Sequence, residues 1–489
     1  MKIADTPPNR QVTCNTWLRT LKLFLSSQRA MCMALLVAGA FFMEFLDGSI
    51  IATALPQMGK TFHESPVALN IGMTAYMLSL SVFIPLSGWL ANRYGARGVF
   101  TIAIAIFTVA SMLCGFCNNL TEFTLARILQ GFGGAMMVPV GRIAVYKDTA
   151  KEDLIRATAF LVWPALVAPI LGPPLGGFIT TYSSWRWIFF LNIPLGIIAM
   201  VCSQFLIDGG RDDETRPFDW AGFVLSASAM TTFMYCLELI GRQTTSWGQA
   251  GWLLAYSVVA GAVAIWWFQT APHPLLDLKA MKVKTFSVTI YGGSLFRIAL
   301  AAVPFLLPLL FQLVYHLSAF AAGSLLLALF AGNLAMKSAT TFVLQRFGFR
   351  STLLINGAIA AVLMAACGLL VPSTPIWIIV TVLFANGLFR SMQFTCLATI
   401  AFADVSRDDV SAASTFMSMV QQLSNGFGIA VGAIALRMAA AYHGRGHDAL
   451  SMSDFTIAFA IIGLIACCGL VDSFQLPPTA GAHLTGKRG

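Results

Sequence analysis

Residues 68–90 read ALNIGMTAYMLSLSVFIPLSGWL, twenty-three positions without a charged side chain. A helix rises ~1.5 Å per residue, so a run of this length crosses the ~30 Å hydrocarbon core of a bilayer. Ala91-Asn92-Arg93-Tyr94-Gly95-Ala96-Arg97 follow, and another apolar run opens at residue 99. So short a polar turn between two long apolar runs reads as a hairpin of membrane-spanning helices. Working outward in both directions gives fourteen runs of this kind, at 30–54, 68–90, 99–117, 122–145, 157–181, 186–207, 219–240, 250–270, 286–314, 318–344, 352–371, 375–403, 410–436 and 455–474. Only helices satisfy their own backbone along such runs in lipid; a barrel would show ~10-residue strands of alternating polarity. The expected fold class is an all-α polytopic membrane protein.

Composition agrees. Only 10% of the 489 residues are charged, against about 25% in soluble proteins, too few to coat a globule of this size. That excludes a soluble enzyme, a nucleic-acid-binding protein and a disordered scaffold. The net charge of +9 has a topological explanation. With the N-terminus inside, inner segments hold 20 of the 30 lysines and arginines, and outer segments hold five, namely Lys60, Arg186, Arg242, Arg437 and Arg445. That asymmetry places both termini in the cytoplasm and calls for no nucleic acid. Arg10, Arg19, Lys22 and Arg29 ahead of the first run resemble a signal sequence, but the run is too long for a cleavable segment and reads as an uncleaved first span.

The loop 208–218, DGGRDDETRPF, divides the chain. An internal repeat supports the division: Arg93-Tyr94-Gly95-Ala96-Arg97 after the second span matches Arg346-Phe347-Gly348-Phe349-Arg350 after the tenth, 253 residues later. The expected organisation is a cytoplasmic tail at 1–29, a six-helix bundle at 30–207, an inserted pair of spans with flanking loops at 208–285, a second six-helix bundle at 286–474 and a cytoplasmic tail at 475–489. Two such halves around a midplane cavity are a transporter architecture.

Four motifs then carry a resemblance. Gly88-Trp89-Leu90-Ala91-Asn92-Arg93-Tyr94-Gly95-Ala96-Arg97 resembles the loop signature of the major facilitator superfamily. Leu46-Asp47-Gly48-Ser49-Ile50-Ile51-Ala52-Thr53-Ala54-Leu55-Pro56 is similar to the first-helix motif of its fourteen-helix drug:proton antiporters. Arg127-Ile128-Leu129-Gln130-Gly131-Phe132-Gly133-Gly134 resembles their fourth-helix motif, and Gly172-Pro173-Pro174-Leu175-Gly176-Gly177 their fifth-helix antiporter signature. The four stand in the expected order on the expected spans, and the likeness is to the EmrB/QacA-type subfamily. It implies that family's fold, two six-helix bundles plus two extra helices, and drug efflux in exchange for protons. Two departures stand out: Asn92 replaces the signature's aspartate and Ala96 its first basic residue after the glycine, so a gate set by that aspartate's charge is not expected here.

The residues have a physical reading of their own. Glu44 and Asp47, three apart in the first span, share a helix face. A mid-membrane carboxylate costs about 2.5–3.5 kcal/mol on insertion scales and faces a cavity or a partner. Burial and a neighbouring like charge favour a carboxyl's neutral form, so such a pair can exchange a proton near neutral pH and titrates as a unit. The alternative is that one acid is the permanent partner of a buried arginine. Arg127, whose charge is permanent, is assigned a part in proton transfer by the resemblance; its competing reading is snorkelling to the interface, which is preferred for Arg142. Which acid faces Arg127 stays open. Ala168, Gly172 and Gly176 make a small-residue stripe at i, i+4, i+8, fit for close helix contact, and Pro164, Pro169, Pro173 and Pro174 should bend the helix. The stripe is expected to seal a contact between the halves; ordinary packing is its alternative.

In the second half, Arg297, Lys337 and Arg390 lie within spans, and Gln421, Gln422 and Asn425 in the thirteenth could face a cavity. Glu238 is in the seventh. Three intramembrane acids against five bases speak against assuming a cationic cargo. Phe296, Phe305, Phe311, Phe330, Phe389 and Phe394 read as packing or lipid-facing before they read as a pocket. Cys114-Gly115-Phe116-Cys117 ends a helix instead of opening one, so it is not read as a redox pair. The histidines show no ligand spacing and no metal is expected; no phosphate-binding loop is present; no nucleophile–base constellation stands out, and the expectation is not an enzyme. No cofactor is expected beyond the proton gradient. Expected partners are a small-molecule substrate, protons and the lipid bilayer, with a periplasmic adaptor as the alternative to a monomer. The reading is thus a multi-pass inner (plasma) membrane antiporter; its rivals are an importer or metabolite exporter of the same fold, and a non-transporting membrane sensor.

Overall fold

The structure is a computed structural model and describes residues 31–148, 154–207, 217–240, 246–406, 409–443, 450–477 and 479–481. The N-terminal tail, most of the 208–218 loop and Arg242 lie outside the described residues. Among those described there is no strand. Thirteen helices are long and apolar enough to span a bilayer, and Leu154–Tyr182, 29 residues, stands in the fifth place, which completes the expected fourteen. In chain order the helices are α1 (Met31–Thr53), α2 (Asn70–Tyr94), α3 (Ala96–Phe116), α4 (Leu120–Val145), α5 (Leu154–Tyr182), α6 (Arg186–Leu206), α7 (Trp220–Ile240), α8 (Trp247–Thr270), α9 (Lys284–Leu313), α10 (Ala319–Phe347), α11 (Phe349–Leu369), α12 (Ile376–Ile400), α13 (Ala412–Tyr442) and α14 (Met452–Gln475). The prolines of α5 leave it one continuous helix, as neighbouring helices in a membrane bundle allow.

Helices eight places apart make equivalent contacts. α4 packs on α2 and α3 as α12 packs on α10 and α11, and α3 meets α6 as α11 meets α14. The first and second halves meet along two seams, α5 on α10 and α2 on α13, which correspond to each other under the same offset. α7 and α8 pack on each other, and α7 also reaches α2 and α13. Of the thirteen long apolar helices, α9 is the most buried, while α7 and α8 are the least buried and α8 presents Trp247 and Trp252 outward.

The repeated turn has one backbone solution in both halves. Gly95, between α2 and α3, has φ 86°, and Gly348, between α10 and α11, has φ 76°, a region that side chains with a Cβ disfavour. The last arginine of each repeat then reaches a carbonyl at the end of its half's sixth helix: Arg97 Nε donates to Ile207 O at 2.5 Å, and an Arg350 Nη donates to Phe474 O at 3.2 Å. Both satisfy carbonyls that a helix end leaves without partners.

Candidate functional site

A cavity of about 320 Å³ opens between the halves, lined by α1, α2, α5, α9, α10, α12 and α13. Glu44, Arg297, Lys337, Arg390, Gln421, Gln422 and Asn425, from both halves of the sequence, all lie on its wall. Asn425 donates to Gln422 Oε1 at 3.1 Å. Of the phenylalanines read as packing, Phe305, Phe330 and Phe394 line the cavity as well, a correction that only the tertiary arrangement supplies.

Asp47 does not line it. Successive helical positions turn by ~100°, so residues three apart diverge by about 60°. That is enough for Glu44 to face the cavity while Asp47 turns toward α4. There Asp47, 2% exposed, accepts a hydrogen bond from Arg127 Nη1 in a fully buried ion pair. It accepts two more, from Gln130 Nε2 at 2.8 Å and from Asn192 Nδ2 at 3.3 Å. Gln130 and Asn192 also donate to Ser111 Oγ. Arg127, read in one alternative as interfacial, has no exposed surface. Its Nε donates to Gly72 O at 3.3 Å, and its guanidinium lies 4.0 Å from the centre of the Tyr76 ring. Five helices, α1, α2, α3, α4 and α6, thus converge on one buried charge pair. Removing one partner of such a pair is far costlier than the pair itself is worth.

Glu44 differs. It is 6% exposed, and its Oε2 has no hydrogen-bond partner. The two acids, three residues apart, therefore have separate environments, one locked to Arg127 and one lining the cavity.

The sequence reading missed a second internal repeat. Arg127-x-x-Gln130 on α4 recurs as Arg390-x-x-Gln393 on α12, 263 residues later. In both, the glutamine reaches the third helix of its half: Gln130 donates to Ser111, and Gln393 Oε1 accepts from Asn356 Nδ2 at 3.1 Å. The arginines diverge. Arg127 meets Asp47, whereas Arg390 Nη1 donates to the Leu300 carbonyl at 2.6 Å. Also missed was a polar knot at the end of the bundle where α1 finishes, here termed distal. Arg437, counted above among outer-segment bases, is buried and ion-paired with Glu238 of α7 at 3.5 Å, and it donates to Asn70 Oδ1 at 3.3 Å and Val67 O at 3.2 Å. Helix α13 runs past residue 436 and carries it inward, so the outer count falls from five to four.

The small-residue stripe needs a correction too. A Cβ at Gly172 would lie 2.1 Å from Ser49 Oγ, and one at Gly176 2.4 Å from Ile50 O. Both pack on α1, within the first half. The close contact between halves belongs to their neighbours: a Cβ at Gly177 would lie 2.3 Å from Ala319 O, and one at Gly323 2.2 Å from Pro173 O. Pro174 stays within α5. In the loop motif, Arg93 stacks on Trp89 at 5.3 Å, Asn92 is exposed, and a Cβ at Gly88 would meet no atom within 4 Å.

Comparison with known proteins returns one family. The family model described as Major Facilitator Superfamily matches residues 37–429. The chain is 34% identical over 453 residues to the MdtD protein of Serratia proteamaculans (strain 568), covering 92% of each. It is 34% identical over 464 residues to MdtD of Klebsiella pneumoniae (strain 342), covering 93% of this chain and 96% of the relative. Both relatives are named for multidrug resistance. Among solved structures, a D-xylose–proton symporter superposes with TM-score 0.65 at 14% identity, over 92% of this chain and 99% of its own. An auto-inhibited POT family peptide transporter superposes with TM-score 0.66 at 14% identity, over 94% and 97%. These two likenesses are of fold alone.

Proposed function

The chain belongs to the major facilitator superfamily and is a multi-pass membrane transporter, not an enzyme; from that premise we propose that it expels small amphipathic compounds in exchange for protons by alternating access. The relatives named for multidrug resistance support the class of cargo. The observation that carries the reading is the inter-half cavity with Glu44 on its wall, one helical turn from the buried Asp47–Arg127 pair.

The basic residues put the distal end outside. The halves then meet at their outer ends, through Gly177 against Ala319, Gln312 Nε2 donating to Thr53 O at 3.1 Å, and Arg437 donating to Asn70 Oδ1 at 3.3 Å. In this reading the cavity serves the cytoplasmic side, both termini are cytoplasmic, and the protein sits in the inner (plasma) membrane. Glu44 exchanges a proton with the cavity. Asp47 joins when movement of α1 against α4 loosens Arg127. A proton shifts the population of states only through a differential interaction with them, and the Arg127 field supplies it, since five helices must keep their places for the pair to stay matched.

The test is transport by the full chain in proteoliposomes enclosing a pH-sensitive dye, with a panel of anionic, neutral and cationic amphiphiles. At least one member should move against its gradient while protons move the other way, and collapsing the pH gradient should stop it. Movement that persists without the gradient, or a panel that the chain leaves unmoved, overturns the reading.

A further inference from the structure

The cavity wall contributed by the second half carries three cationic side chains, from three helices: Arg297 of α9, Lys337 of α10 and Arg390 of α12. Among the described residues each meets only neutral acceptors. Arg297 Nη1 donates to Thr289 O at 3.1 Å and Nη2 to Met417 Sδ at 3.4 Å, while its Nε, in a side chain 3% exposed, has no partner. Arg390 donates to Leu300 O at 2.6 Å and Lys337 Nζ to Thr395 Oγ1 at 2.8 Å. Among the described residues none of the three forms an ion pair. The Arg-x-x-Gln repeat makes this pointed. Arg390 holds the place in its half that Arg127 holds in the other, yet only Arg127 has an aspartate. A buried guanidinium keeps its charge, and a buried charge is stable only with a counter-charge and hydrogen bonds. In one half the protein supplies that counter-charge. In the other the arginine faces the cavity.

From this we infer that the cargo is an amphipathic organic anion, its carboxylate or equivalent anionic head held by Arg390, Arg297 and Lys337 and its apolar body laid against Phe305, Phe330 and Phe394. Glu44, on the first half's side of the same cavity, does not cancel the field: ionised, it leaves an excess of two positive charges. The inference rests on the transporter reading and narrows its substrate class. Head and proton are handled by different halves, so they are coupled through helix movement and not by competition for one group. An anion leaving a cell also moves with an inside-negative potential.

Three probes with one apolar body separate the possibilities: 1-pyrenebutyrate, 1-pyrenebutanol and 4-(1-pyrenyl)butyltrimethylammonium. Equilibrium binding to the detergent-solubilised full chain should favour the carboxylate at least tenfold over the ammonium. Arg390→Gln, and independently Lys337→Gln, should cut the carboxylate-to-alcohol affinity ratio about tenfold, and Arg390→Lys should restore part of it. Equal or tighter binding of the ammonium, an unchanged ratio in both glutamine variants, or binding of none of the probes overturns the inference. So does displacement of pyrenebutyrate by phosphatidylglycerol at a lower concentration than by 4-phenylbutyrate, which would assign the site to a lipid headgroup. Carboxylate binding without gradient-driven transport would instead retain this inference and defeat the exchange reading. Gradient-driven transport of the ammonium alone would do the reverse.

Discussion

Glu44→Gln removes the charge but keeps the side chain's size, and Glu44 Oε2 has no hydrogen-bond partner to lose. Proton-driven transport should fall at least tenfold while the melting temperature in detergent stays within about 2 °C; undiminished transport would take Glu44 out of the coupling. Arg127→Leu is the opposite case. It strands Asp47, which is 2% exposed, at a cost of about 3–5 kcal/mol for a broken buried pair. Thermal denaturation should show that loss, and adding Asp47→Leu should recover most of the stability but none of the transport, because replacing both partners leaves no uncompensated charge. A single variant as stable as the parent would mean that the pair is not load-sharing in the folded state. Gln130, quoted within the fourth-helix motif but given no role, and Asn192 and Ser111, which no motif contained, are polar groups recruited from three helices. No spacing within one helix announces such a convergence, although the Arg-x-x-Gln repeat was there to be read.

For single elements, the informative contrast is between glycines of one sequence motif class that meet different surroundings. Gly177 of α5 lies against the Ala319 backbone of α10, where a Cβ would come within 2.3 Å, and backbone does not yield as a flexible side chain does. Gly177→Val should force the distal ends of α5 and α10 apart and slow transport at least tenfold, with the protein still inserted. Gly88→Ala, facing open space, should change transport less than twofold. Both are read from initial rates in proteoliposomes, and a tolerated Gly177→Val would show that the seam is not held this tightly during the cycle. The stripe at 172 and 176 looked like a seam between halves because spacing reveals that a helix has a small face. It does not reveal which neighbour that face meets, and here it is α1.

Across the whole molecule, the distal ends are tied through groups distant in sequence. Arg437 of α13 joins Glu238 of α7 and Asn70 of α2, so one knot links both halves and the seventh helix. Arg437→Gln weakens that tie. In a chain with its native cysteines replaced, a probe cysteine at Ala301 on the cavity wall should then react at least fivefold faster with an impermeant maleimide added from outside. An unchanged rate would mean that the knot does not bias the distal seam. Exposed charges here would be screened and weak; this pair is mostly buried, which is why an effect of that size is expected.

The fourteen helices, their order and the repeated turn were all legible in the amino-acid sequence, because a bilayer enforces long apolar runs and internally bonded backbone on each segment by itself. The Arg-aromatic-Gly-x-Arg repeat was read as a mark of two halves; that its glycine has positive φ in each came from the structure. Partnership was another matter. Asp47 and Glu44 are chemically alike and three residues apart, and only the docking of α4 and α6 onto α1 gave one an arginine and left the other facing the cavity. Arg437 passed for a loop residue until α13 carried it into contact with α7. A side chain's charge is local to its position, but its compensation depends on what packs opposite, and that is settled only when distant helices come together.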